Sequence, residues 1–148
     1  MAYKQPHSVL VVIHTRAGDV LLLERARQPG LWQSVTGSRE GDETPALTAQ
    51  REVLEETGID CRQYALSDWR IENHYEIFAA WRERYGPGVT HNTEHVFALE
   101  LPERVAVIIA PDEHRAHAWL PWPAAAERCF SWSNRDAIRL LGSRQRGI

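Results

Sequence analysis

A short segment in the first half of the chain carries a high density of carboxylates. Residues 37–59 read GSREGDETPALTAQREVLEETGI. If this stretch is helical, Glu52, Glu55 and Glu56 fall within an arc of about 100° on one turn, where like charges repel each other. Hard cations such as Mg²⁺ or Mn²⁺ bind carboxylates and share their coordination with substrate phosphates and water. The spacing therefore predicts a divalent-metal site that also holds a polyphosphate.

Residues beside these carboxylates are expected to support the site. Arg51 lies one helical turn before Glu55 and can pair with it, which would orient the acidic groups. Gly37 can permit an unusual backbone angle or the close approach of a phosphate or metal, and its carbonyl is a candidate ligand. A small apolar stripe is predicted to press the acidic face toward a cleft: Ala46, Ala49 and Val53. A solvated acidic face without any ligand is the ordinary alternative for an isolated EVLEE sequence.

The acidic residues require a helix with defined ends, and the flanking residues supply them. Thr44 is a suitable N-cap, and Pro45 fits the first helical position because its missing N–H has no partner there in any case. Gly58 can adopt the left-handed conformation that ends a helix. These signals predict a helix over residues 45–57.

Strand-like segments surround this helix. Apolar and β-branched runs separated by turn residues predict six strands: 8–14, 19–25, 34–37, 69–84, 93–101 and 115–122. The first two read as a hairpin, and the fourth and fifth as an antiparallel pair joined by a turn at 86–88. Two further helices are predicted over 123–130 and 133–142, the second capped by Ser133 or Asn134. The fold class expected is α/β, an α/β/α sandwich with a mixed central sheet.

Length, charge and cysteine content narrow the function classes. The 148 residues suit a single domain over 1–148, and no apolar run is long enough to span a membrane. The net charge of −3 argues against a surface built to hold a nucleic-acid backbone. Cys61 and Cys129 lack metal-ligand spacing, so a reducing cytoplasm is expected. No obligate protein partner is evident.

The acidic segment also fits a known sequence pattern. All nine constrained positions of the pattern G-x5-E-x7-R-E-U-x-E-E-x-G-U, with U aliphatic, are filled between Gly37 and Ile59. The chain thus resembles the Nudix hydrolases. The resemblance implies an α/β/α sandwich in which Glu52, Glu55 and Glu56 hold divalent metal while a water attacks a phosphorus atom. The resemblance leaves two candidates for the general base: Glu52 and a glutamate outside the pattern. Glu113 is the candidate for this outlying glutamate, and it is also a candidate metal ligand.

A narrower resemblance extends over most of the chain. The segments YKQPHSVLVVI, LWQSVTGS, YEIF, RYGPGVTHNTEH and SWSNRDAI are similar to a bacterial Nudix subfamily that removes pyrophosphate from dihydroneopterin triphosphate for folate synthesis. The stretch ERVAVIIAPDEH is longer than that likeness leads one to expect. Lys4 and Arg25 are candidate phosphate binders because cations complement phosphate oxygens, and the resemblance supports both. Thr36 and Ser131 are candidates to hydrogen-bond the substrate, and Gly37 is a further substrate-binding candidate. The resemblance implies a substrate lining of Tyr75, Glu76, Ile77 and Phe78.

Aromatic and histidine side chains add weaker signals. Trp32 and Trp132 are the candidates to stack on a flat pterin or purine, although most tryptophans in a small domain pack in the core. The pairs His91/His95 and His114/His117 have spacings that suit zinc but lack soft partner ligands, so we expect no zinc.

Two other functions remain compatible with the sequence. A Nudix enzyme with a different pocket would act on oxidised nucleoside triphosphates or on an RNA 5′ end, and the acidic charge balance disfavours RNA. A Nudix domain that senses a ligand without catalysis typically has a degraded pattern, and here the pattern is intact.

Overall fold

The computed structural model describes residues 3–145 as seven strands, three α-helices and two 3₁₀ helices. The strands are β1 (His7–Thr15), β2 (Asp19–Arg25), β3 (Trp32–Gln33), β4 (Val35–Ser38), β5 (Ala65–Glu76), β6 (His91–Leu101) and β7 (His114–Pro121). The α-helices are α1 (Pro45–Thr57), α2 (Trp122–Arg128) and α3 (Trp132–Gln145), and the 3₁₀ helices span Cys61–Gln63 and Ala79–Arg84. No helix in the range 3–145 combines the length and the apolar character that crossing a membrane requires.

All seven strands belong to one mixed sheet. Its main path is β3-β2-β1-β6-β5, with β4 paired to β1 and β7 paired to β2. The β1–β6 pair is parallel along its whole length, from His7 opposite Thr93 to Thr15 opposite Leu101, whereas the other pairs are antiparallel. The predicted hairpin and the predicted antiparallel pair of β5 and β6 are confirmed.

Apolar side chains project from both faces of the sheet, because successive residues of a strand point to opposite sides. On β1, Val9, Val11 and Ile13 join a buried cluster that includes Val53 of α1. Leu10 and Val12, on the other face, join a second cluster with residues of α2 and α3. The sheet therefore lies between helices, and the predicted α/β/α sandwich with a mixed sheet is confirmed.

Helix α1 has the ends that its capping residues predict. The Thr44 side chain accepts a hydrogen bond from Leu47 N at 3.3 Å, and Gly58 has a φ of 75° with its N–H donating to Leu54 O at 2.9 Å. The predicted apolar stripe is partly wrong: Ala49 and Val53 are buried, but Ala46 is exposed. The buried face of the helix continues instead into Glu52 and Glu56, so two carboxylates are turned inward.

The predicted strand over 69–84 is wrong at both ends. Strand β5 begins at Ala65 and ends at Glu76, and Ala79–Arg84 forms a 3₁₀ helix. The aromatic residues of this segment, whose composition suggested a strand, pack on one another. The ring centroids of Phe78 and Trp81 lie 5.0 Å apart, and the Phe130 ring packs against both. Strand β3, only two residues long, was not predicted.

The predicted cap of α3 is also wrong. The helix begins at Trp132, and Ser131 Oγ accepts the hydrogen bond from Asn134 N at 3.3 Å. The Asn134 side chain reaches across the chain instead: its Oδ1 accepts from Ser34 N at 2.7 Å, and its Nδ2 donates to Ser34 Oγ at 2.9 Å. Asn134 thus ties α3 to the residue between β3 and β4.

Replacing Asn134 tests this tie. Because Asn134→Ala leaves the buried Ser34 N–H without its acceptor, we expect the free energy of unfolding to fall by about 2–3 kcal/mol. Urea unfolding followed by tryptophan fluorescence measures the change. Asp136→Ala, an exposed change on the same helix, is the control and should shift stability by about 0.5 kcal/mol or less. Equal unfolding midpoints for the two variants would contradict the prediction.

Candidate active site

Two adjoining cavities open beside α1 and the ends of β4 and β5. One, the aromatic cavity, has a volume of about 420 Å³ and is lined by Tyr75, Phe78, Trp81, Phe130 and Trp132, among others. The second, the acidic cavity, has a volume of about 500 Å³ and is lined by Glu52, Glu55, Glu56 and Glu113, among others. Residues common to both linings form a shared rim: Lys4, Arg25, Gln33, Thr36, Gly37, Ser38 and Arg84.

The acidic cavity contains carboxylates that are withdrawn from water. Glu52 is 8% exposed and Glu56 is 2% exposed, whereas Glu55 lies at the surface. Burial raises the pKa of Glu52 and raises that of Glu56 further, since Glu52 and Glu113 also face Glu56. Glu56 Oε1 accepts no hydrogen bond from residues 3–145. Charge on this pair is therefore unfavourable unless a cation is bound nearby.

The structure brings Glu113 and His114 to the same place. One ligand atom each from Glu56, Glu113 and His114 lie within 4.8 Å of one another. His114 Nε2 lies 3.9 Å from Glu56 Oε1, and burial lowers the pKa of His114 to about 4, so the imidazole is neutral at physiological pH. A neutral histidine does not compensate buried carboxylates, and this set of donors suits a divalent cation. The sequence prediction paired His114 with His117 as a spacing that suits zinc and did not place it beside Glu56 or Glu113.

Arg51 is the cation that organises the acidic turn. Its Nε and Nη2 donate to the two oxygens of Glu43 at 2.8 and 3.0 Å, and Nη2 also donates to Ser38 O at 2.9 Å. Its Nη1 donates to Glu52 Oε1 at 2.8 Å and to Glu55 Oε2 at 3.3 Å. The contact between Arg51 and Glu55 predicted from their spacing is present. These bonds hold the pKa of Glu43 down at about 2.

Gly37 allows Glu52 to occupy its buried position. A Cβ atom built on Gly37 would lie 2.0 Å from Glu52 Cδ, far inside van der Waals contact. Gly37 is not one of the glycines with positive φ, so the expected unusual backbone angle is wrong. The group that lies close to Gly37 is the carboxylate of Glu52 on α1.

Three cations stand on the rim between the cavities. Arg25 donates to Gln28 Oε1 at 2.6 Å and to Gln33 Oε1 at 3.1 Å, and its guanidinium lies 4.8 Å from the Trp81 ring centroid. Desolvation, and then the charge of Arg84, lower the pKa of Lys4. Within residues 3–145, Lys4, Arg25 and Arg84 have no carboxylate within 4.0 Å. Sequence reasoning missed Arg84 because its segment was predicted as a strand.

The aromatic cavity contains one of the two predicted stacking residues. Trp132 lines it, is 50% exposed, and packs edge-on against Tyr75 with ring centroids 6.4 Å apart. Trp32 does not line it and packs against the second core cluster, with Arg128 over its ring. Trp81, Phe78 and Phe130 supply the other rings. Trp32 therefore lies outside the aromatic cavity, and its stacking on a flat ring stays a prediction.

The remaining predicted substrate residues lie around the two cavities. Lys4, Arg25, Thr36 and Gly37 line both. The aromatic cavity is lined in addition by the rest of the predicted set: Tyr75, Glu76, Ile77, Phe78 and Ser131.

His91 contacts Thr90 and His95 lies 3.7 Å from Glu72, so this histidine pair has local partners on the opposite face of β6 from Asn92.

Comparison with known proteins agrees with this geometry. The profile of the NUDIX domain matches residues 4–141, so the chain belongs to the NUDIX family. It is 48% identical over 139 residues to a dihydroneopterin triphosphate diphosphatase of Escherichia coli K12, covering 92% of this chain and 91% of that protein. A dihydroneopterin triphosphate diphosphatase of Haemophilus influenzae is 40% identical over 142 residues, covering 94% and 89%.

Solved structures place the fold in the same family. The structure of the E. coli dihydroneopterin triphosphate pyrophosphohydrolase superposes with a TM-score of 0.88 at 47% identity, covering 95% of this chain and 97% of that one. A NUDIX hydrolase structure from Listeria monocytogenes, at 22% identity, has a TM-score of 0.81 and covers 97% and 96%. The second likeness concerns the fold alone.

The clamp between Glu43 and Arg51 makes stability depend on pH. The pKa of Glu43 is depressed from 4.5 to about 2 in the folded chain, so its contribution is complete above pH 4.5 and disappears as the pH falls toward 2. We expect Glu43→Gln to lower the free energy of unfolding at pH 7 by about 1–2 kcal/mol. The difference from the wild type should narrow continuously as the pH falls through that window.

Glu40→Gln is the matched control, because Glu40 Oε2 lies 3.4 Å from the same Arg51 but in solvent. It should change stability by about 0.5 kcal/mol or less. Urea unfolding of the three proteins between pH 7 and pH 3 measures both effects. A Glu43→Gln deficit that stays constant over this range would contradict the role of the Glu43 charge.

Proposed function

We propose that this chain hydrolyses dihydroneopterin triphosphate to dihydroneopterin monophosphate and pyrophosphate, with Mg²⁺ as its metal. The observation that carries the proposal is the order of the three surfaces: an aromatic cavity, a rim of cations and an acidic cavity. This order matches a flat ring, a triphosphate and a divalent metal. The identity of 48% to a protein named for this activity supports the choice of substrate.

The proposed metal ligands are the carboxylates of the acidic cavity: Glu52, Glu55, Glu56 and Glu113. The bare, buried Oε1 of Glu56 and the closeness of Glu113 fit a hard cation. The carbonyl of Gly37 is a further candidate ligand. When bound, Mg²⁺ would neutralise charge on the phosphate oxygens and lower the pKa of an attacking water; Mn²⁺ is the alternative.

The chain's own residues have separate parts in this proposal. Arg51 is a positioning residue, since it holds Glu52 and Glu55 through Nη1 while Glu43 and Ser38 O fix its other nitrogens. Glu52 and Glu113 are the two candidates to accept the proton of the attacking water.

Substrate binding is divided between the rim and the aromatic cavity. Lys4, Arg25 and Arg84 bind the phosphates, because these cations have no competing carboxylate on the rim. Thr36 and Ser131 donate hydrogen bonds to the substrate. Trp132 stacks on the ring, with Tyr75, Glu76, Ile77 and Phe78 lining the space around it.

The wider setting belongs to the proposal as well. Residues 1–148 would form one Nudix domain that acts in the cytoplasm on a small-molecule triphosphate. The net charge of −3 supports a small anionic substrate escorted by metal over a nucleic-acid partner.

Substrate preference is the first test. We expect kcat/KM with Mg²⁺ to be at least about tenfold higher for dihydroneopterin triphosphate than for 8-oxo-dGTP, because the pocket selects its ring. The products, identified by chromatography, should be the monophosphate and pyrophosphate. Faster hydrolysis of 8-oxo-dGTP would reject the pterin substrate and favour a nucleotide-sanitising Nudix enzyme. Absence of hydrolysis for both would reject the proposed function.

Glu56→Gln tests the metal site. Removing this charge should reduce kcat by about 10²-fold or more, because it takes away a metal ligand and leaves packing nearly unchanged. Circular dichroism and thermal unfolding should show an intact fold. Glu127→Gln, an exposed change on α2, should retain wild-type turnover. Undiminished Mg²⁺-dependent activity in Glu56→Gln would refute the assignment of Glu56.

A further inference from the structure

A buried polar patch lies at the floor of the aromatic cavity and has no part in the metal or phosphate sites. Asn92 and Glu94 share one face of β6 with Val96, which belongs to the second core cluster. Both are buried, at 3% and 4% exposure, and both line the cavity. A face that is apolar at Val96 therefore becomes polar where it reaches the cavity, which departs from the pattern of a core strand.

Glu94 is held only by neutral donors. Asn73 Nδ2 donates to its Oε1 at 3.3 Å, and Tyr75 OH donates to its Oε2 at 3.4 Å, both long for hydrogen bonds to a carboxylate. Ser133 adds a third hydrogen bond, yet burial still raises the pKa of Glu94. Within the described range of the chain, no Lys, Arg or His nitrogen lies within 4.0 Å of it. The carboxylate is thus short of strong donors.

Asn92 has a similar deficit. Its Nδ2 donates to Ser8 Oγ at 2.7 Å and to Tyr75 OH at 3.0 Å, which uses both of its protons. Its Oδ1 is buried and accepts no hydrogen bond from residues 3–145. A purely structural polar network would normally satisfy such groups. Asn92 Oδ1 has no donor among residues 3–145, and the hydrogen bonds that Asn73 and Tyr75 donate to the Glu94 oxygens are long. All of these oxygens are acceptors, so the ligand that completes the patch should present N–H donors.

We propose that Glu94, supported by Asn92, recognises a ring edge with an exocyclic amino group next to a ring N–H, the 2-amino-4-oxopyrimidine edge shared by pterins and guanine. A carboxylate can accept both N–H groups side by side, as it does with a guanidinium. Adenine presents an amino group next to a bare ring nitrogen, which would face the carboxylate with a lone pair. Glu94 is therefore a specificity-determining residue. This inference rests on the proposed function for its triphosphate substrate.

Glu94→Gln tests the recognition, since it keeps the shape of the side chain and replaces one acceptor with a donor. In the wild type we expect kcat/KM for GTP to exceed that for ATP by at least about tenfold. The variant should lose about tenfold or more in kcat/KM for dihydroneopterin triphosphate and GTP, mainly through KM, while ATP changes by about threefold or less. The GTP-to-ATP ratio should collapse, a result that mere loosening of the fold does not produce.

Glu100→Gln is the matched control. Glu100 lies on the same strand but is exposed and pairs with Arg16 at 3.5 Å. It should keep the wild-type values for all three substrates. An unchanged GTP-to-ATP ratio in Glu94→Gln would overturn the inference.

A measurement on the unaltered enzyme covers the case in which the Glu94 variant does not fold. 6-Hydroxymethylpterin and its 2-oxo counterpart, which lacks the amino group, are compared as competitive inhibitors. The pterin should bind at least about tenfold more tightly, because the 2-oxo group puts an acceptor against Glu94. Equal inhibition would overturn the inference.

The failure of this inference is distinguishable from failure of the proposed function. If dihydroneopterin triphosphate is the preferred substrate but the GTP-to-ATP ratio and the inhibitor pair show no selectivity, only the role of Glu94 is rejected. If another triphosphate is preferred, the proposed function is rejected, and the same ratio and inhibitor pair still decide the role of Glu94.

Discussion

The structure depends on the burial of like charges on one turn of α1. Glu52 and Glu56 are withdrawn from water, and Arg51, which lies 2.8 Å from Glu52, is already shared with Glu40, Glu43 and Glu55. One guanidinium cannot neutralise this number of carboxylates, so the turn keeps a negative surplus that a divalent cation would remove. Neighbouring residues hold this turn in place. Gly37 leaves space for Glu52, and the Thr44 and Gly58 caps fix where the helix begins and ends.

The sheet brings this turn next to the aromatic cavity. Strand β4 pairs with β1 at Ser8–Val11, and β1 runs parallel to β6 with Ser8 opposite Glu94. The end of β4 that carries Gly37 is therefore only two strands away from the polar patch on β6. Helix α3 closes the other side through Asn134 and Ser34. The separation between the acidic cavity and the polar patch of the aromatic cavity is thus set by the strand spacing, which is a rigid quantity in a paired sheet.

The parts of the fold and site that sequence predicts are those with local causes. The bounds of α1 follow from capping chemistry within a few residues, and the spacing of the glutamates follows from the helix repeat. The features that were missed have distant causes. Asn134 binds Ser34 from 100 positions away, so it looked like a cap of its own helix. Arg84 lies at the end of a 3₁₀ helix, and the rings of Phe78 and Trp81 in that segment pack with Phe130, which is distant in the sequence.

The acidic segment and the aromatic cavity differ in the same way, because the first is local in the sequence and the second is not. The hydrolytic machinery of the NUDIX family is concentrated in one contiguous segment, which is why a pattern over residues 37–59 is sufficient to recognise it. The floor of the aromatic cavity is assembled from β1, β5, β6 and α3, and no short pattern contains all of its residues. Asn92 and Glu94 stand out only once the strand register shows that they face the buried side of β6. Residues 37–59 can therefore stay unchanged while the lining of the aromatic cavity changes through residues on separate strands.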